Sequence, residues 1–284
     1  MPFKTEIPRH LAPLAAGLLM LATAPVHAAH INVGPNGCTL EDAIFAASSN
    51  AAQGSCPAGE PGRDAIVLEP NSVHELAGAF LTVDYGAVAT PPIREELVII
   101  GNGATVRRAE GAPPARLLLA AGIHEPTVSL SILDLTLEGG IANEFGGGGI
   151  LFVSRNADES LSLQRTTLRG NAAPELPGGG GAIRFVGPES APAGSLTLLQ
   201  AQVIDNTASD RGAGVHVSDA QVRIEDSTFS GNRTSDSSGA LAVFNQERDG
   251  VPPREALIST STFSGNEAIN GGGLIVFGRV RLLD

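Results

Sequence analysis

Four side chains near the middle of the chain could do chemistry together. They are a cation, an imidazole and two carboxylates: Arg184, His216, Asp205 and Asp210. Carboxylates and imidazole transfer protons, and arginine binds planar oxygen groups, so this set would suit a carbohydrate-binding or carbohydrate-cleaving site. The same residues would also serve as solvated surface groups. The elements that position them decide between these interpretations.

Other catalytic signatures are missing from the sequence. The glycine runs 146–149 and 178–181 lack the Lys-Ser/Thr continuation of a phosphate-binding loop, and they predict turns. No Ser/His/Asp signature is present, so we predict no catalytic residues of that class. The histidines after residue 28 are scattered, and we predict neither a metal site nor a cofactor: His30, His74, His124 and His216.

An eleven-residue repeat must position these side chains. In the copy at 161–171, apolar residues stand ten, eight and three positions before the final Asn171. The same frame ends at Asn206, Asn232 and Asn266, and an earlier copy ends at Gly140. The frame is constant while the loops between copies vary, as in solenoids, whose coils match in the core while their loops face water. The alternating apolar residues indicate strands.

A second alternating run follows each copy after a glycine-rich corner. Glycine and asparagine tolerate the positive φ of tight corners, and stacked asparagines can hydrogen-bond from coil to coil. We therefore predict an all-β parallel β-helix, right-handed by the parallel-crossover rule, with structural turn positions at Asn171, Asn206, Asn232 and Asn266. Its second sheet would turn two apolar rows inward: Ile150, Ile183, Val215, Leu241, Leu274 and Phe152, Phe185, Val217, Val243, Val276.

Two outward rows lie between these inward positions. The first contains no carboxylate: Leu151, Arg184, His216, Ala242 and Ile275. The second is mostly apolar, so it is either covered by loops or marks a contact surface: Val153, Val186, Ser218, Phe244 and Phe277.

Two further carboxylates, Asp134 and Asp226, recur at one position of the eleven-residue frame, six places before its last residue. With coils about 4.8 Å apart, three coils would separate them by about 14 Å. That distance is too long for the paired carboxylates of a glycoside hydrolase. We interpret them as solvated corner residues.

Length, composition and charge fit one exported solenoid domain. The 284 residues are 42% hydrophobic with 35 Gly and 4% aromatic side chains, which suits thin coils filled by aliphatic residues. A formal charge of −12 argues against nucleic-acid and membrane-surface partners. Residues 1–28 have the basic start, apolar stretch and Val26-His27-Ala28 end of a signal peptide. The apolar stretch is shorter than the roughly 18 residues of a membrane span.

The segment 29–60 predicts a disulfide-linked cap. Thr39 can cap a helix over 40–48, and Asp42 suits its positive N-terminal end. In an exported protein Cys38 and Cys56 would form a structural disulfide worth roughly 3 kcal/mol, with a catalytic or metal role as the alternative. The helix would cover the open end of the solenoid, which is otherwise an exposed strand edge.

Two stretches resemble known families. Cys38-Thr39-Leu40-Glu41-Asp42-Ala43-Ile44 resembles the Cys-Ser-Leu-Arg-Glu-Ala (CSLREA) motif that opens many exported bacterial β-helix proteins, with departures at Thr39, Glu41 and Asp42. Cys56 and the strand 64–68 are similar to the second Cys and first strand of that family. The repeats ending at Asn232 and Asn266 resemble those of polymorphic outer-membrane proteins, which are surface adhesins. These resemblances imply an exported protein of the pectin-lyase-like fold with a surface role.

The remaining chain, 61–284, would form the β-helix. Further strands are expected at 80–84, 97–101, 104–108, 116–120 and 127–137, in irregular early coils broken by paired prolines. Residues 280–284 match the start of the frame at 222–226, so we expect a chain truncated within a coil.

These observations predict a non-catalytic exported or cell-surface protein with an adhesive or structural role. Its partner would be a carbohydrate or another cell-surface protein, with no nucleic acid and no membrane span in the mature chain. The alternative is a polysaccharide-active lyase or hydrolase. The candidate binding residues are Arg184, His216, Asp205, Asp210, Phe244 and Phe277.

Overall fold

The computed structural model describes residues 28–34, 37–82, 84–121, 127–175, 179–189 and 192–284. Within these ranges the chain forms a parallel β-solenoid of about seven turns, which confirms the predicted all-β fold class. The predicted signal peptide lies outside the described residues except for Ala28. No helix in the described ranges has the length and hydropathy needed to cross a bilayer.

The helix α1 spans Leu40–Ser49. The strands, in chain order, are β1 His30–Val33, β2 Asp64–Leu68, β3 Val73–Leu76, β4 Phe80–Thr82, β5 Gly86–Val88, β6 Glu96–Arg108, β7 Leu118–Ala121, β8 Ser129–Glu138, β9 Ile150–Val153, β10 Ser160–Gln164, β11 Thr167–Arg169, β12 Ala172–Ala173, β13 Ile183–Val186, β14 Ser195–Leu199, β15 Gln202–Ile204, β16 Thr207–Ala208, β17 Val215–Ser218, β18 Gln221–Glu225, β19 Thr228–Ser230, β20 Arg233–Thr234, β21 Leu241–Phe244, β22 Glu255–Ser259, β23 Thr262–Ser264, β24 Leu274–Phe277 and β25 Arg279–Leu283.

The first sheet stacks the eleven-residue frames in the register that the sequence predicted. Strands β8, β10, β14, β18 and β22 pair in parallel, and like-numbered frame positions lie on each other. Leu163, for example, lies between Ile132 and Leu198, and all three are buried. The stack also continues toward the N-terminus, where Ile99 of β6 pairs with Ile132 and with Ile66.

The second sheet stacks β7, β9, β13, β17, β21 and β24 in parallel. Its two inward apolar rows are those predicted, and from Ile150 and Phe152 to Leu241 and Val243 they are fully buried. Phe152 and Phe185 stack with their ring centroids 5.0 Å apart. The core therefore runs along the solenoid axis as columns of apolar side chains.

A ladder of asparagines fills the corner beside the short strands β12, β16 and β20. Asn171 donates from Nδ2 to Oδ1 of Asn206 at 3.0 Å, Asn206 to Asn232 at 2.9 Å, and Asn232 to Asn266 at 2.9 Å. Each Nδ2 also donates to a backbone carbonyl near the end of a neighbouring frame, such as Leu168. The ladder satisfies buried amides that would otherwise cost stability.

The cap contains the predicted helix and disulfide. Thr39 Oγ1 accepts from the Asp42 backbone N at 3.1 Å, and Asn50, with a φ of 52°, caps the C-terminal end of α1. The apolar face of α1 is buried and packs against β1 and β2. Cys38 and Cys56 form a disulfide, as predicted.

The early coils differ from the sequence prediction in two places. The expected solenoid strand at 80–84 is instead half of an antiparallel hairpin, because β4 pairs with β5. Thr82 Oγ1 closes this turn by donating to the Gly86 carbonyl at 2.8 Å and accepting from Tyr85 N at 3.1 Å. The two strands expected at 97–101 and 104–108 form one strand, β6, which turns its corner at Asn102 and Gly103, both with positive φ.

Candidate functional site

The candidate site lies on the outward side of the second sheet. Arg184 pairs with His216 and Val186 with Ser218, and Ser218 is followed by Phe244 and Phe277 on the next coils. The outward rows predicted from the sequence are thus rows of the sheet. We call this surface the lateral face and define it by Leu151, Val153, Arg184, Val186, His216, Ser218, Ala242, Phe244, Ile275 and Phe277.

The C-terminal half of the lateral face exposes aromatic side chains. Phe244 and Phe277 stack with their ring centroids 4.9 Å apart, and Phe277 is 57% exposed. The guanidinium carbon of Arg211 lies 5.0 Å from the centroid of Phe244, within the range of a cation–π contact. His216 meets the same ring edge-on at 5.4 Å. This part of the face offers aromatic and cationic groups to a partner.

The N-terminal half of the lateral face is covered. Val88, Leu119, Ala121 and Leu151 form an apolar cluster outside the main core, and Tyr85 packs on it together with Val153 and Val186. The sequence analysis left open whether the apolar row is covered by loops or marks a contact surface. Cover by loops applies to its N-terminal half, and exposure applies to its C-terminal half. Among the described residues, loop side chains cover the coils near β9, whereas Phe277 of β24 is 57% exposed.

Arg116 holds the covering segments in place. Its side chain is buried and donates to the carbonyls of Tyr85 at 2.5 Å, Glu144 at 2.7 Å and Gly146 at 2.8 Å. Burial lowers the pKa of Arg116 to about 10, with the charge of Glu144 opposing the change. The side chain thus stays cationic at neutral pH and links two loops that are distant in sequence.

A cleft of about 360 Å³ lies between the covered and bare halves. Tyr85 and Phe145 meet edge to face on one side, with centroids 6.1 Å apart. Such a volume lies at the lower end of the range of small-molecule sites, roughly 300 to 1,000 Å³. The lining combines aromatic, aliphatic and polar residues: Tyr85, Phe145, Leu151, Val153, Gly179, Arg184, Val186, Asp210 and His216.

Two polar side chains form the floor of the cleft. Arg184 donates from Nη1 to Ser218 Oγ at 3.0 Å. Burial lowers the pKa of Arg184 to about 10, and the nearby Asp210 charge opposes that effect, so the guanidinium remains charged at neutral pH. Burial, followed by the charges of Arg184 and Arg211, lowers the pKa of His216 well below its usual range. His216 is therefore neutral under the same conditions.

The His216 ring packs against Gly179 and the Phe244 ring. It is 6% exposed, and its Nδ1 has no hydrogen-bond partner among the residues that the structure describes. A Cβ added at Gly179 would collide with that nitrogen, so only glycine fits against the ring at this position. The neutral imidazole is fixed by packing rather than by an acid–base partner.

The structure brings most of the sequence-predicted residues together. Arg184, Asp210 and His216 line the cleft, and Phe244 contacts His216 at its edge. Asp205 does not line the cleft: it follows β15 at an exposed corner with a φ of 54°, beside Gly231. Sequence reasoning missed the cleft residues Tyr85, Phe145 and Gly179 and the neighbouring Arg211, because loop residues have no periodic pattern.

The carboxylates at the recurring frame position lie at corners of the first sheet. Asp134 and Asp226 both have positive φ. Asp134 pairs with Arg165 on the next coil through two hydrogen bonds of 2.5 and 2.8 Å, and this pairing lowers the pKa of Asp134. Asp226 accepts from Thr260 Oγ1 at 2.6 Å. Both carboxylates thus have coil-to-coil partners.

A buried pair of carboxylates, not recognised in the sequence, lies beneath the cap. Asp64 is fully buried and accepts from the backbone N of Ala29 at 3.0 Å and of Glu60 at 3.2 Å. Glu95 is 7% exposed, and its Oε1 has no hydrogen-bond partner in the described part of the chain. Burial and the Asp64 charge raise the pKa of Glu95 to about 7. Because both carboxylates are buried, we interpret the pair as structural rather than catalytic.

Neither a search for metal-ligating groups in the described ranges nor comparison with known proteins assigns a further role to these residues. No group of three His, Cys, Asp or Glu side chains in the described ranges could hold a metal ion. No protein-family model matches the chain, and searches of curated proteins and of solved structures find no match. The family resemblances of residues 38–44 and of the repeats therefore stay predictions.

Proposed function

We propose that the protein is a non-catalytic, exported β-helix protein that attaches through its lateral face to a carbohydrate or to another cell-surface protein. The observation that carries this proposal is the exposed aromatic and cationic half of that face. Phe277 is 57% exposed in a stack with Phe244, and Arg211 lies over Phe244. Aromatic and arginine side chains contribute most of the binding energy in many interfaces, and exposed apolar patches mark contact sites.

Two further features support attachment outside the cell. The disulfide between Cys38 and Cys56 fits an oxidising compartment. Stacked coils form a long surface on which chemically similar side chains repeat along the axis, and solenoids use such surfaces for binding. An exported adhesive or structural protein combines these two properties.

The alternative is a lyase or hydrolase that acts on polysaccharides. The feature that favours it is the convergence of Arg184, Asp210 and His216 in one cleft. However, Asp210 is the single carboxylate among the described lining residues, and glycoside hydrolysis ordinarily uses two. His216 lines the cleft but is only 6% exposed, which restricts the approach of a substrate to its ring nitrogens and disfavours a role as general base. Binding without turnover agrees better with this geometry.

The test measures attachment and turnover on the same samples. The purified protein is added to immobilised xylan, glucomannan, pectin, alginate and chondroitin with calcium present, and self-association is followed by light scattering. Phe277→Asp should reduce attachment or self-association at least tenfold and leave the urea unfolding midpoint unchanged. The matched control is Phe45→Asp, because Phe45 is 46% exposed on the capping helix, away from the lateral face.

Two results would overturn the proposal. One is release of sugar products that is abolished by Asp210→Asn, which would establish the enzyme. The other is attachment or self-association that Phe277→Asp and Phe45→Asp leave equally strong, which would show that the lateral face is not the contact surface.

A further inference from the structure

The cleft on the lateral face has balanced charge in an acidic protein. Among the described residues that line it, Arg184 is the cation and Asp210 the carboxylate. Beside the cleft, Arg211 lies 3.8 Å from Asp210 and 4.0 Å from Asp236. The formal charge of the whole chain is −12. An anionic ligand would thus approach an acidic protein and meet a carboxylate beside the single lining cation, which disfavours binding of acidic sugars.

The polar groups of the cleft match a hydroxyl group. A guanidinium has five N–H donors, and the Nη1 contact of Arg184 with Ser218 leaves others for a ligand. The Asp210 carboxylate only accepts hydrogen bonds. A hydroxyl both donates and accepts, so it can donate to Asp210 while accepting from Arg184. A ligand carboxylate could accept from Arg184 but could not donate to Asp210, and it would be repelled by the Asp210 charge.

The rest of the lining is suited to the carbon face of a sugar ring. Tyr85 and Phe145 form an aromatic side of the cleft, and Leu151, Val153 and Val186 contribute aliphatic side chains to its lining. Small-ligand sites typically combine such apolar walls with a few polar groups that fix orientation. His216 is neutral and adds no charge that would select an anion.

We infer that the cleft binds one neutral sugar unit of a glycan chain, with a ring hydroxyl between Arg184 and Asp210 and the ring against Tyr85 and Phe145. This inference rests on the proposed function, of which it specifies the ligand class. Coils repeat about every 4.8 Å along the axis, so Phe244 and Phe277 lie where the next units of the chain would pass.

The test compares neutral and acidic glycans by affinity electrophoresis. The probes are xylan and glucomannan as neutral polymers, and alginate and polygalacturonate as acidic ones. The wild-type chain should be retarded by at least one neutral polymer more strongly than by either acidic polymer. Asp210→Asn should weaken neutral binding about tenfold, because it replaces a charged acceptor, and should increase retardation by the acidic polymers by removing repulsion. The matched control, Asp236→Asn, also removes a carboxylate near Arg211 but lies outside the lining.

A second variant separates loss of sugar binding from loss of folding. Phe145 is 48% exposed, so Phe145→Ala should leave the circular dichroism spectrum unchanged while weakening neutral binding several-fold. The inference is overturned if acidic polymers bind more tightly than neutral ones, or if polymers of neither charge bind. It is also overturned if neutral binding falls in Phe277→Asp but not in Asp210→Asn or Phe145→Ala. In that last case the proposed attachment through the lateral face stands and the cleft is not its sugar site.

Discussion

Replacing Glu95 by glutamine should stabilise the protein at neutral pH and leave its stability at acidic pH almost unchanged. Glu95 lies beneath the cap with 7% exposure, where burial and the neighbouring Asp64 raise its pKa from 4.5 to about 7. A hydrogen bond with the Asn50 side chain opposes this change. Other charged groups at this junction are Glu60, whose backbone N donates to Asp64, and the exposed pair of Arg63 with Glu96.

The direction of the pH dependence follows from the number of protons that the folded and the unfolded chain bind. Below pH 4.5 Glu95 is protonated in both the folded and the unfolded chain, so its ionisation does not change the free energy of unfolding. Between pH 4.5 and about 7 the unfolded chain releases the proton while the folded chain keeps it, and the free energy of unfolding falls as pH rises. Above about pH 7 the loss is complete, at most about 3 kcal/mol from the size of the pKa change. Solvent screening near the surface reduces this to about 2 kcal/mol.

The assay is urea unfolding followed by circular dichroism over the range from about pH 4.5 to about pH 8. The difference in free energy of unfolding between Glu95→Gln and wild type should grow from near zero to about 2 kcal/mol across this range. Glu96→Gln is the matched control, because Glu96 is adjacent but exposed and 3.3 Å from Arg63, and its effect should stay within about 1 kcal/mol. Equal pH slopes for wild type and Glu95→Gln would refute the assignment of a raised pKa to Glu95.

Three further predictions concern the solenoid itself. Asn206→Ala should lower the free energy of unfolding by about 3 kcal/mol, because it removes the side-chain partner of the buried Asn171 backbone N and of the Leu168 carbonyl; Asn266→Ala, at the last observed rung, should cost about half as much in the same urea titration. Reducing the Cys38–Cys56 disulfide should lower stability by about 3 kcal/mol, seen as a lower Tm with dithiothreitol, and a variant with both cysteines replaced by alanine should not respond to the reductant. Phe229→Ala should cost about 3 to 5 kcal/mol, because Phe229 is fully buried and stacks on Phe263 at 4.8 Å; a calorimetric loss below about 1 kcal/mol would contradict its place in the core.

The candidate site was predictable as far as the repeat extends. Arg184 and His216 occupy the same position in consecutive runs, so their adjacency follows from the frame. Asp205 and Asp210 are close in sequence but lie at opposite ends of the short strand β16, and only Asp210 lines the cleft. The burial of Glu95 had no sequence signal, because an acidic residue between Arg94 and Glu96 at the start of a strand is ordinarily solvated.

The sequence by itself determined the all-β solenoid, its two inward apolar rows, its asparagine corners and its capping helix. It could do so because neighbouring coils must place apolar side chains at the same positions, so apolar residues recur at fixed positions of each repeat in the sequence. Only the tertiary structure decided which outward side chains are covered and which form a cleft. That outcome depends on loops joined by long-range contacts, such as those of Arg116 with the carbonyls of Tyr85 and Gly146. Such contacts do not recur at fixed positions of the repeat, so the sequence pattern does not predict them.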